Sequence, residues 1–233
     1  MKVKPSPDPM RRESQLRLEL QRPTIYSRET FVVSHSNTAA VAAVDSWPHW
    51  HGGRLALVGP ESCGKTHLAM AWAAQSGAVL VADDRPDLDG LGSCAMVLED
   101  ADRRPSDERL FHLINMADAG ASLLITARTT PASWPAALPD LRSRLNALAV
   151  AQIEAPDDGV LEGVLRKFFR ERNIRPAADV YSYLVKRIER SVPAALDVVS
   201  RLDALAHAEH REITRALARQ ILEHEDRTLG LFD

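Results

Sequence analysis

The sequence predicts an α/β fold, a parallel sheet flanked by helices, followed by a small all-helical unit. Three observations carry this. Short apolar runs alternate with helical patterns up to about residue 155, the arrangement of a parallel sheet. One of those runs, Leu55-Ala56-Leu57-Val58, leads directly into Gly59-Pro60-Glu61-Ser62-Cys63-Gly64-Lys65-Thr66, a complete phosphate-binding loop, and then into a helical pattern over 67–75. Beyond residue 156 the apolar spacing is three and four residues throughout, the helix period.

Taken in order, residues 1–24 are polar and proline-studded (Pro5, Pro7, Pro9, Pro23) and are expected to form a flexible tail. Residues 25–155 are expected to form the α/β nucleotide-binding domain. Within it, Phe31-Val32-Val33 leads to Asn37, a helix cap by type, and to an Ala/Val-rich helix up to Trp47. After the phosphate loop come a short strand over 78–82 and an acidic, glycine-bearing loop over 83–93. Ala95-Met96-Val97-Leu98 reads as a buried strand ending in Glu99-Asp100. A helix over 108–119 and strands over 122–126 and 147–153 complete the sheet. Pro156-Asp157-Asp158 breaks the pattern and caps a helix. Four apolar faces follow: Leu161 to Phe169, Val180 to Ile188, Leu196 to Leu205, and Leu217 to Leu222, starting at Thr214. They define a helical lid domain over 156–226, with a terminal tail over 227–233.

Composition narrows the function. The 233 residues suffice for a core domain and a smaller one, and 45% are hydrophobic. The net charge of −3, from 29 basic and 32 acidic residues, argues against a dedicated duplex-DNA module. The two cysteines, Cys63 and Cys94, fit reduced thiols and a cytoplasmic setting better than a disulfide. No apolar stretch is long enough to span a bilayer, and no signal peptide is visible.

The loop's chemistry is specific. Its glycines let backbone N–H groups wrap phosphates, and the helix behind it points its N-terminus at their charge. The candidate nucleotide ligands are Gly59, Pro60, Glu61, Ser62, Cys63, Gly64, Lys65, Thr66 and His67. Lys65 reaches the outer phosphates, and the Thr66 hydroxyl can ligate Mg²⁺. Glu99 and Asp100, at a strand end, can hold the metal and polarise a water respectively. ATP or ADP with Mg²⁺ is the expected cofactor. Leu141-Arg142-Ser143-Arg144-Leu145 precedes the last strand, where an arginine of ring or filament ATPases reaches the neighbouring subunit's terminal phosphate.

Together Ser36-Asn37, Gly59-Pro60 through Leu68, Glu99-Asp100-Ala101-Asp102, Leu141-Arg142-Ser143-Arg144, and Arg190 with Leu196 resemble the AAA+ core of the bacterial initiator DnaA, over residues 29 to 224. Pro48-His49-Trp50, Phe111-His112-Leu113, Thr126-Ala127-Arg128 and Glu189-Arg190-Ser191 are similar to the shorter DnaA homologues of the Hda family, which switch the initiator off. That resemblance implies that Arg144 is the arginine finger and that Arg190 is the sensor II arginine of the lid. The sensor I position, polar in the family, falls on Ala127, which implies weak autonomous hydrolysis. Residues 83–93 are too few for the initiator's helical insertion, and those after 226 too few for its helix-turn-helix region. Gln15-Leu16-Arg17-Leu18-Glu19-Leu20 resembles peptides that dock on the DNA polymerase III sliding clamp: Gln15 for a polar subsite, Leu16, Leu18 and Leu20 as apolar anchors. The segment 228–232 is clamp-like without the glutamine.

The function these readings imply is negative regulation of replication initiation. A clamp-recruited AAA+ protein would contact DnaA and stimulate hydrolysis of its bound ATP, with self-association left open. Two alternatives stand beside it. One is an autonomous ATPase or helicase loader acting on single-stranded DNA, disfavoured by 5% aromatic content and negative charge. The other is a binding module stabilised by its nucleotide.

Overall fold

A computed structural model describes residues 26–81, 92–103 and 106–229, with side chains through Glu223. The flexible tail with its clamp motif, most of the acidic loop and residues 230–233 lie outside the described residues.

Five strands form one parallel sheet: β1 (Arg54–Val58), β2 (Val79–Leu80), β3 (Ala95–Leu98), β4 (Ser122–Ala127) and β5 (Val150–Gln152). Their spatial order is β2-β3-β4-β1-β5. β1 is an inner strand, with Ala56 paired to Ile125 of β4 on one side and to Val150 of β5 on the other. Its apolar run Leu55–Val58 follows from burial on both faces. Residues alternate between two cores, as a two-residue period demands. Ala56, Val58, Met96, Leu98, Leu123 and Ile125 pack with helices α3 (Asp107–Asp118) and α4 (Pro139–Asn146). Leu55, Leu57, Val97 and Leu124 pack on the opposite face with α1 (Thr38–Asp45) and α2 (Lys65–Ser76), around Trp50 and Trp72.

The helices α5 (Asp158–Glu171), α6 (Ala178–Val185), α7 (Val192–Glu209) and α8 (Arg215–Leu229) gather around a third core that includes Leu165, Phe169, Leu184, Val199 and Leu217. Side chains set the starts of α5 and α7. Asp157 accepts from Val160 N at 2.8 Å, and Ser191 accepts from Ala194 N at 3.2 Å.

The segment before α1 straps this helical unit to the sheet. Val32 and Ser34 lie against Gly163 and Gly159 of α5, and a Cβ at either glycine would sit 2.5 Å from them. Ser36 N donates to Asp157 Oδ2 at 3.0 Å, while Ser36 O accepts from Glu154 N at 3.0 Å.

Several expected boundaries move. The strands expected over 78–82 and 147–153 shrink to β2 and β5, because apolar runs continue past the paired residues. Helix α4 was not expected. Only Leu141 and Leu145 of it are buried, and the surrounding prolines read as loop, although Pro139 fits a helix start. Asn37 precedes α1 without capping it, since its Oδ1 accepts from Ser34 N and its Nδ2 donates to Val32 O. Helix α8 continues to Leu229, past the expected end of the lid at 226. No helix among the described residues is long and apolar enough to cross a membrane.

Candidate nucleotide site and a distant arginine

The phosphate loop leaves the carboxyl end of β1, where the strand order reverses, the usual ligand position of an open α/β sheet. Its shape depends on two glycines. A Cβ at Gly59 would lie 2.3 Å from Ile153 O and 2.9 Å from Cys63 Sγ, so only glycine packs there. Gly64 has φ +105°, and Ser62 before it has φ +59°. These left-handed residues turn successive N–H groups inward, the geometry of an anion nest. Lys65, 7% exposed, curls over the loop and donates to Gly59 O at 2.9 Å and Pro60 O at 2.7 Å. Thr66 is exposed on the first turn of α2.

Cys63 is buried beneath the loop, and burial pushes its thiol pKa up, so it packs as an apolar group. Both cysteines are free, as expected. The His67 side chain turns away from the loop. Its Nε2 lies 3.1 Å from Ser27 O and 3.3 Å from Thr30 Oγ1, and its ring meets Tyr26 and Phe31 edge-on at 5.4 and 5.3 Å. The side chain therefore braces the segment before α1. Burial holds its pKa below the ordinary value, with Lys167 adding to the effect and the Ser27 carbonyl opposing it.

Glu99 and Asp100 sit half-buried at the carboxyl end of β3, on the same edge of the sheet as the loop. The hydroxyl of Thr126, 1% exposed, organises them. It donates to Glu99 Oε1 at 2.9 Å and accepts from Asp100 N at 3.0 Å. Sequence reasoning misses Thr126, although a hydroxyl inside an apolar strand is a signal. Ala127, the expected sensor I position, points into the core and offers no donor. Next to it Arg128 pairs with Glu61 of the loop at 2.6 Å, while Asp102 holds Arg128 N and Thr129 N. This pair ties the end of β4 to the loop and was not foreseen either.

Among the described residues no cluster of three or more His, Cys, Asp or Glu could cage a metal. Mg²⁺ in nucleotide sites binds through one or two protein oxygens and substrate phosphates. Thr66 and Glu99 have the oxygens for this role. Arg190 lies at the start of α5, where it donates to Pro156 O at 3.2 Å and Asp158 Oδ1 at 2.7 Å. Those residues follow the end of β5, against which Gly59 packs.

Arg144 lies elsewhere. It lies in the last turn of α4 and pairs with Asp118, the last residue of α3. The other Asp118 oxygen pairs with Arg54, the first residue of β1. The Arg144 guanidinium also lies 5.1 Å from the centroid of the Phe111 ring. Arg144 is thus at the amino-terminal edge of the sheet and the phosphate loop at the carboxyl edge. The five residues of β1, at about 3.3 Å each, put roughly 16 Å between them.

The comparisons with known proteins agree with this architecture. No family model matches the chain. The chromosomal replication initiator DnaA of Thermomicrobium roseum is 29% identical over 127 residues, covering 54% of this chain and 27% of that protein. That of Caulobacter sp. (strain K31) is 27% identical over 218 residues, 78% of this chain and 45% of that one. The chain is homologous to DnaA at modest identity. It spans less than half the length of these relatives. Domain III of the Thermotoga maritima replication initiation protein DnaA superposes with TM-score 0.69 at 18% identity, over 85% of this chain and 96% of that one. The Thermotoga maritima RuvB Holliday junction branch migration motor gives TM-score 0.66 at 14% identity, over 85% and 72%. A DnaA structure bound to AMPPCP and single-stranded DNA gives TM-score 0.62 at 17% identity, over 79% and 68%. The fold is an AAA+ core.

Proposed function

We propose that this protein binds ADP or ATP with Mg²⁺ and acts as an Hda-type negative regulator of replication initiation. In this reading Gln15, Leu16, Leu18 and Leu20 recruit it to the sliding clamp. Arg144 then completes a composite site on DnaA and drives DnaA-bound ATP to ADP. The observation that carries the reading is the separation of Arg144 from this chain's own phosphate loop. An arginine about 16 Å away along the strands has no use for a nucleotide bound in its own chain. It is suited to one bound by a neighbour. The core over 25–155 then binds the nucleotide, and the lid over 156–226 closes on it through Arg190.

Weak hydrolysis by the chain alone belongs to the same reading. Glu99 and Asp100 stand where carboxylates hold metal and water. The one polar side chain on β4 beside them, Thr126, already spends its hydroxyl on Glu99 and on Asp100 N. Ala127 offers nothing to a water. An AAA+ site so furnished binds nucleotide better than it turns it over.

Steady-state ATPase of the chain alone, and then with DnaA, clamp and DNA, tests this. The chain alone should turn over more slowly than about 1 s⁻¹, the low end of ordinary enzymes. Hydrolysis of DnaA-bound ATP should rise only when all components are present. Fast turnover without partners would return the reading to an autonomous ATPase. No effect on DnaA in any combination would leave a nucleotide-stabilised binding module.

A further inference from the structure

We infer that Asp118 is a positioning residue for Arg144: it holds the guanidinium over Phe111 in the orientation presented to a partner's terminal phosphate. The inference rests on the reading of Arg144 as a trans-acting finger and adds the residues that aim it.

An arginine at the end of a surface helix has many rotamers, and each must be given up when the side chain docks on a phosphate. Here much of that freedom is already gone. The Asp118 carboxylate takes one amino group of the guanidinium, and the Phe111 ring lies 5.1 Å from its centre. Asp118 is itself fixed, because its second oxygen is held by Arg54, which is 8% exposed and begins the inner strand β1. The finger is thus linked through two ion pairs to a buried strand paired on both sides.

Charge and donor count leave it fit for its partner. A guanidinium has five N–H donors in a planar fork, and a single carboxylate oxygen occupies one corner. Two cations share one anion, so Asp118 orients Arg144 without cancelling the positive charge of the cluster. The side chain of Arg144 remains 33% exposed. An anion approaching this edge meets a pre-aimed cation and does not have to order it first.

The test is single-turnover hydrolysis of DnaA-bound ATP at saturating regulator, with clamp-loaded DNA. Asp118→Asn should lower the plateau rate about 10- to 100-fold, the loss that follows when an intact catalytic group is misplaced. The regulator concentration giving half the effect should not move, and Asp118→Glu should recover part of the rate. Asp118→Asn also strips the buried Arg54 of its partner, so Arg54→Met with Asp118→Asn is measured beside it. A rate defect that persists in the double variant, with thermal stability recovered, supports positioning. A double variant at the wild-type rate means that Asp118 acts only through Arg54, and overturns the inference. A wild-type or higher rate for Asp118→Asn, where Arg144→Ala eliminates stimulation, overturns it while leaving the finger intact. Undiminished stimulation with Arg144→Ala overturns the finger reading itself.

Discussion

The two edges of the sheet are built in different ways. At the carboxyl edge the phosphate loop is one contiguous stretch, and most of its geometry comes from its own backbone. Ser62 and Gly64 turn the chain, and Lys65 folds back on the carbonyls of Gly59 and Pro60. At the amino-terminal edge the arginine cluster is assembled from residues far apart in the chain: Arg54 of β1, Phe111 and Asp118 of α3, and Arg144 of α4. The first is a site that a short segment carries wherever a strand and a helix flank it. The second exists only once the sheet has closed. If the proposed function holds, the local site serves this chain's own nucleotide and the assembled one serves a neighbour's.

Arg144→Ala probes that division with the largest expected effect. Stimulation of DnaA-bound ATP hydrolysis should fall by about 10³- to 10⁵-fold, the range for an arginine finger, or roughly 4 to 7 kcal/mol of transition-state stabilisation. The variant's own stabilisation by ADP should match wild type. An altered ADP response would mean that the two edges are not independent.

Lys65→Ala attacks the other edge. Wild type should gain about 2.7 kcal/mol at ADP one hundredfold above its Kd, and the variant should gain none in a thermal scan. An equal gain would remove Lys65 from the site.

Gly59→Ala tests whether the loop is also structural. The new Cβ meets Ile153 O and Cys63 Sγ inside contact distance. Urea unfolding without nucleotide should show a loss of about 1–3 kcal/mol, the usual cost of overpacking. A neutral result would mean that β5 can withdraw from the loop.

The smallest effect belongs to His67. Burial holds its folded pKa below the unfolded value near 6.5, so the unfolded chain binds the extra proton first. Its contribution to stability is full above about pH 6.5 and is lost as pH falls through the depressed folded pKa. The melting temperature of wild type should therefore drop more steeply between about pH 7 and pH 5 than that of His67→Gln. Parallel curves would show that the ring is not held neutral by its packing on Tyr26 and Phe31.

His67 also marks where reading the sequence stops. Its place directly after Thr66 suggests a nucleotide ligand, yet its side chain faces the segment before α1, because the first turn of a helix sends successive side chains in different directions. Helix α4 was hidden by prolines that signal turns. Thr126 passed as one more strand residue until β3 and β4 set its hydroxyl against Glu99.

The sequence by itself determined the parallel α/β order, the helical lid, the phosphate loop and the acidic strand end. Each of these depends on contiguous residues, through apolar periodicity, glycine geometry or a strand's last two positions. Only the tertiary structure decided that Arg54, Phe111, Asp118 and Arg144 meet, that Arg128 ties β4 to Glu61, and that Val32 and Ser34 fit against the glycines of α5. These contacts join residues tens of positions apart, and no local spacing encodes them. They are fixed when burial of the apolar strand faces sets the sheet's order and register, which brings the ends of its helices together.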